Sequence, residues 1–262
     1  MKIKFKVGYL AAFAAVALAA LPAAVSASHS WNGYHWARTA NPFTLKLGDN
    51  VSGAWDSILS TTSSDWSQST VLDTTIVPGQ ANPRNCRATS GRVEVCNSTY
   101  GNTGWLGVAT VWVKSDTHIT QSTVKLNDTY FNTATYNTVA WRNLVSCQEV
   151  GHTLGLDHQD TNFNNANLGT CMDYTNDPGT NQHPNQHDYD ELAIIYTHLD
   201  LYTTLSAAPV KGKAGVVPPG ADASDWGTAI QNDAHGRPIL FVRGLGGGEK
   251  QLTWVFWTPP GR

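Results

Sequence analysis

Apolar and polar residues change their spacing along this chain, and each change predicts a different kind of structure. Phe43-Thr44-Leu45-Lys46-Leu47 alternates apolar with polar, as a half-buried strand does. Residues 49–60, continued by Asp65-Trp66, have helical character around Trp55, Ile58 and Leu59. Residues 72–77, 92–96, 107–113 and 122–126 are rich in Val, Ile, Thr and Trp and read as further strands. A helical period begins at Asn137, a candidate cap, and places Trp141, Leu144, Val145, Gln148 and His152 on one face. Gly155 offers the stop, because glycine tolerates the left-handed backbone that ends many helices. A loop rich in Asn and Gly then runs through Cys171 and Met172 to Pro184, and residues 188–198 carry Leu192, Ile195 and Tyr196 in a second helical pattern. The order predicts an α+β fold.

The two ends depart from this pattern. Lys2, Lys4 and Lys6 precede an alanine-rich apolar run over 7–21, and Val25-Ser26-Ala27 offers a small-residue cleavage site, so 1–27 reads as a secretory signal peptide. The rival reading, a membrane anchor, is weakened by Gly8 inside the run and Pro22 at its end. After Ser28 nothing is long or apolar enough to span a bilayer, so the expected product is secreted, with no membrane partner once the leader is cleaved. Residues 205–224 are rich in Pro, Gly and Ala and read as a linker. Residues 225–262 carry strand-like runs at 239–242 and 252–257 around Gly244-Leu245-Gly246-Gly247-Gly248, predicting a small C-terminal β appendage.

Charge narrows the partners. A formal net charge of -3 and a pI near 6.3 give no electrostatic reason to expect nucleic acid. The four cysteines would pair in an oxidising compartment, with three connectivities open. Cys86 with Cys96 would close a short hairpin-like loop.

The chemistry concentrates in Gln148-Glu149-Val150-Gly151-His152-Thr153-Leu154-Gly155-Leu156-Asp157-His158. On a helix, Gln148 and His152 lie one turn apart and can converge on one ion, with Glu149 beside them. A chain reversal at Gly155 would bring His158 to the same ion. Three ligands, a neighbouring carboxylate and an open position suit a hydrolytic zinc site.

The segment resembles the zinc signature of the metzincin metallopeptidases, H-E-x-x-H-x-x-G-x-x-H, at every fixed position but the first, where Gln148 stands. Thr170-Cys171-Met172-Asp173-Tyr174 is similar to the methionine turn of that family: Met172 matches the turn methionine, and Tyr174 matches a tyrosine that can approach the metal in astacin-like and serralysin-like branches. Pro184-Asn185-Gln186-His187-Asp188, followed by Ile195 and Tyr196, resembles the start of the last catalytic-domain helix in matrixin-like members. Residues 107–113 and 122–126 look like the edge strand and following strand at the upper rim of the family's cleft. The resemblance covers roughly residues 31–202, with specific motifs only over 148–196.

That resemblance implies a metzincin-like catalytic domain over 28–204, a twisted mixed sheet with an active-site helix and a C-terminal helix. It implies zinc on His152, His158 and Gln148, Glu149 as general base, Tyr174 as a further ligand or oxyanion donor, Met172 and Gly155 as structural residues, and a peptide or protein substrate. A Cys147–Cys171 bridge would then tie the active-site helix to the methionine turn. Glutamine is neutral and a weaker zinc donor than imidazole, so affinity should fall while hydrolysis remains physically allowed. Two alternatives stay open: a catalytically impaired relative that binds peptides or proteins, and an exported adhesion or envelope module.

The Asp and Asn residues before Met172 could serve structural calcium, though no complete binding loop is present. A monomer is expected. His183 and His187 could approach the site from the loop but read as outside it, and His29, His35, His118, His198 and His235 read as ordinary surface or core histidines. No propeptide is evident, so restraint of such an enzyme would have to come from low activity, activation on export or inhibition by the tail.

Overall fold

The computed structural model describes residue 1 and residues 28–114, 117–205 and 223–261. Residues 2–27 of the expected signal peptide and 206–222 of the expected linker lie outside the described residues. The described chain is mixed α and β. Its strands are β1 (His35–Trp36), β2 (Phe43–Asn50), β3 (Leu72–Pro78), β4 (Val93–Ser98), β5 (Trp105–Lys114), β6 (His118–Asn127), β7 (Thr228–Asn232), β8 (Pro238–Gly246) and β9 (Glu249–Trp257). Its α-helices are α1 (Trp55–Trp66), α2 (Asp128–Phe131), α3 (Val139–Thr153) and α4 (Gln186–Ile195).

All nine strands join one sheet, ordered β3-β2-β4-β6-β5-β9-β8-β7, with β1 beside the start of β6. The strands from β3 to β6 are parallel, and those from β5 to β7 are antiparallel to their neighbours. The periodicity located most elements and missed some bounds. The first helix starts at Trp55, not at residue 49, because Asp49 and Asn50 still pair with Val95 and Cys96 in the β ladder. The cap of α3 is Thr138 in place of Asn137: Thr138 is extended, and its hydroxyl accepts from the Trp141 amide at 3.2 Å. The last helix begins at Gln186 in a capping box, where the Asn185 side chain accepts from the His187 and Asp188 amides and Asp188 accepts from the Asn185 amide.

Helices α1 and α3 pack together against one face of the sheet, and Trp36, Trp55, Trp66, Leu144, Val145 and Val150 fill the core between them. Buried indoles are tied to the backbone of α3: Trp66 Nε1 donates to Cys147 O at 3.1 Å and Trp36 Nε1 to Thr153 O at 2.9 Å. Disulfides link Cys86 with Cys96 and Cys147 with Cys171.

The expected free rim strand is not free. Strand β5 is hydrogen-bonded on one side to β6 and on the other to β9, which pairs with it from Trp105↔Trp257 to Val113↔Lys250. The C-terminal strands therefore continue the sheet itself. The alternation of β9 explains the fit: Leu252, Trp254 and Phe256 enter the main core, while Val255 joins Trp105, Val108, Trp226 and Phe241 in a second cluster. Full burial of side chains this large stabilises the join by roughly 1.5–3 kcal/mol each. No helix among the described residues is long and apolar enough to cross a membrane.

Candidate metal centre

The last two turns of α3 place Gln148, Glu149 and His152 beneath β5 and β9, and packing there depends on glycine. A Cβ at Gly107 would stand 2.7 Å from Glu149 Oε1, so the strand passes directly over the carboxylate. A Cβ at Gly151 would stand 2.6 Å from Met172 Sδ, which places the methionine turn directly against the helix. Gly155 has φ of +102° and lies against the Tyr34 carbonyl, so it alone among residue types makes the reversal there without strain. That reversal returns His158 to His152.

The two imidazoles meet through their Nε2 atoms at 3.2 Å. The Nδ1–H of His152 donates to Leu156 O at 2.9 Å, which leaves its Nε2 as a lone pair. His158 Nδ1 stands 3.2 Å from Asp157 Oδ1, a carboxylate behind the ring. Gln148 is oriented as firmly: its Nε2 donates to Cys171 O at 2.7 Å, and its Oε1 is buried with no partner. The Cys147–Cys171 disulfide fixes the residue whose carbonyl holds that amide.

The site is dry. Gln148 and Glu149 are fully buried, His152 is 1% exposed and His158 8%. Burial pushes the Glu149 carboxyl well above the usual carboxylate range, tempered by the backbone amides of Ala109 and Phe256. Neither carboxylate oxygen attains full hydrogen-bond geometry with a protein donor. Burial, and then the neighbouring His158, hold His152 well below the ordinary imidazole value.

Strand β9 forms the roof. The Trp254 ring lies parallel to His152 at 5.2 Å between centroids and 12° between planes. Tyr174 is edge-on to His158 at 4.6 Å, and its hydroxyl donates to Val255 O at 3.1 Å. Phe256 packs on Tyr174 at 5.0 Å, and Gln231 Nε2 of β7 donates to Asp157 Oδ2 at 3.1 Å. The tyrosine hydroxyl is therefore engaged by the C-terminal strand.

A scan against protein families and a search of curated proteins find no match. Among solved structures, that of myroilysin is similar with a TM-score of 0.36 and 13% identity, over 61% of this chain and 82% of that one. A likeness of that size carries no argument about this chain.

The remaining histidines lie elsewhere. His183 Nδ1 is 2.7 Å from Asp65 Oδ2, and His187 stacks on His29 at 4.8 Å. Among the described residues, the group of His, Cys, Asp and Glu side chains able to hold a metal ion is His35, His198 and Asp200. The sequence reading of His35 and His198 as ordinary histidines missed it. They are far apart in the chain and share no motif, and only the H-x-D spacing of His198 and Asp200 was a local signal.

Proposed function

We propose that this chain is an exported zinc endopeptidase of the metzincin type, held shut by its own C-terminal strand. The observation that carries the reading is the pair of Nε2 atoms at 3.2 Å, with the Gln148 oxygen, one helical turn before His152, buried and unpartnered. Four-coordinate zinc with nitrogen ligands about 2.0–2.1 Å away spaces its ligands about 3.3 Å apart. Two imidazoles and one amide oxygen suit zinc better than calcium or magnesium, which favour all-oxygen sets. Both disulfides agree with an oxidising compartment.

Zinc, when bound, supplies Lewis acidity and lowers the pKa of water. The rest falls to the chain's own residues. Glu149 accepts a proton from water at a carboxylate oxygen and returns it to the leaving amine. Burial disfavours its ionised form, so lifting of the roof, by admitting water, favours the base. Tyr174 then exchanges Val255 O for the developing oxyanion. A peptide substrate would take the place of β9, adding to β5 through the same main-chain donors and acceptors.

A second reading, a permanently closed and catalytically silent relative, is favoured by the burial of Trp254 and Phe256 in the main core. Zinc content tests the shared premise. The mature chain, Gln148→His and His158→Ala are dialysed against zinc and assayed for bound metal. Gln148→His should bind more tightly than the parent and His158→Ala should bind one equivalent less. Equal metal content in the parent and His158→Ala would sink both readings of the motif as a metal site.

A further inference from the structure

We infer that His35, His198 and Asp200 form a second divalent transition-metal site, independent of the motif on α3 and suited to zinc. His35 lies on β1, and the other two lie just after α4, so the site joins segments far apart in the chain. His35 Nε2 stands 3.2 Å from His198 Nε2 and 3.5 Å from Asp200 Oδ1, and His198 Nε2 stands 3.7 Å from the same oxygen. These separations bracket the ligand spacing of about 3.3 Å expected around tetrahedral zinc.

The surrounding groups orient each donor. His35 Nδ1 lies 2.6 Å from Gly33 O and must donate to it, so the Nε2 lone pair points into the cluster. Arg38 braces the other two: its backbone N–H and Nη1 donate to Asp200 Oδ2 at 3.1 Å and 3.0 Å, and its Nη2 donates to His198 O. Asp200 Oδ1 remains for the ion, with His118 behind it. His118 Nε2 donates to that oxygen at 3.1 Å while its Nδ1 accepts from the Tyr202 hydroxyl at 2.8 Å. His118 is thus a positioning residue.

Without metal, one proton on His198 Nε2 must bridge two acceptors, His35 Nε2 and Asp200 Oδ1. A cation replaces that proton, which moves to His198 Nδ1 as the neutral tautomer, so both nitrogens present lone pairs. The His198 side chain is 55% exposed, so water reaches the fourth position and the ion can enter. Two imidazoles exclude calcium and magnesium as preferred occupants. A metal here would clamp β1 to the segment that leads out toward residue 205.

The test compares zinc bound by the full mature chain, His198→Ala and His183→Ala, measured by equilibrium dialysis with elemental analysis. His198→Ala should bind one equivalent fewer than the parent, and His183→Ala, whose histidine pairs with Asp65, should match the parent. The count is a difference, so it stands whether or not the α3 motif holds zinc. On the unmodified chain, the imidazole proton signals of His35 and His198 should shift on adding zinc and stay unmoved by calcium. Equal zinc in all three proteins, or unmoved His35 and His198 signals, would overturn the assignment.

Discussion

Two pairs of imidazoles in this molecule approach Nε2 to Nε2 at the same 3.2 Å, yet they are built in opposite ways. His152 and His158 lie six residues apart on one helix end and its reversal, and are sealed under β9. His35 and His198 come from segments far apart in the chain and meet where the His198 side chain is exposed, with Asp200 beside them. The buried site owes its geometry to local helix repeat and one glycine, and its burial raises the Glu149 pKa. The surface site owes its geometry to the tertiary fold, with Arg38 as brace. One should be gated by the C-terminal strand and the other should not.

Removing the carboxylate should give the largest effect. In the chain cleared of residues 223–262, Glu149→Ala should lower peptide hydrolysis by about 10²–10⁴-fold while leaving zinc bound, as expected for loss of a general base; steady-state kinetics with metal analysis checks both. Next comes Trp254→Ala, which removes a fully buried indole stacked on His152 and should cost about 3–5 kcal/mol in urea unfolding. It should also speed amide exchange in β9 and leave zinc at the surface cluster unchanged, which separates the two sites directly. At that cluster, His118→Ala should weaken zinc binding by about 10–100-fold through loss of the group that orients Asp200, with no change at the motif.

The smallest effect concerns β6, the strand that carries His118 and, further along, Lys125. Burial pushes Lys125 from 10.5 down to about 8, partly offset by attraction to Asp225 of the C-terminal segment. Between those values the unfolded chain binds a proton that the folded chain has released, so stability should rise with pH across that window and be flat in this group below it. Lys125→Met should abolish the rise in chemical denaturation measured from pH 8 upward.

The sequence made the buried site legible because its donors follow helical spacing over a few turns, and the cysteines could be paired once the helix and turn were placed together. The structure brings Gln148, Glu149, His152, His158, Met172 and Tyr174 to one locus. What stayed hidden is non-local. Strand β9 was visible as a strand-like run, but its pairing with β5 depends on complementary faces set by Trp254 and Phe256, which no spacing along the chain encodes. The two-residue strand β1 is too short for any periodicity, and it carries His35. Asp49 and Asn50 were read as the start of the helix whose period centres on Trp55, Ile58 and Leu59, whereas their pairing with β4 keeps them in the sheet.

The most direct measurement places a protease site within residues 206–222, loads the full chain with zinc, cleaves it and removes the C-terminal fragment by gel filtration. The hydrolysis of a mixed peptide library is then followed before and after. The account predicts no turnover in the intact chain and turnover after removal of the fragment, lost again in Glu149→Ala. A folded, zinc-loaded and fragment-free chain that cleaves nothing would contradict it and leave the closed, silent relative as the reading that stands.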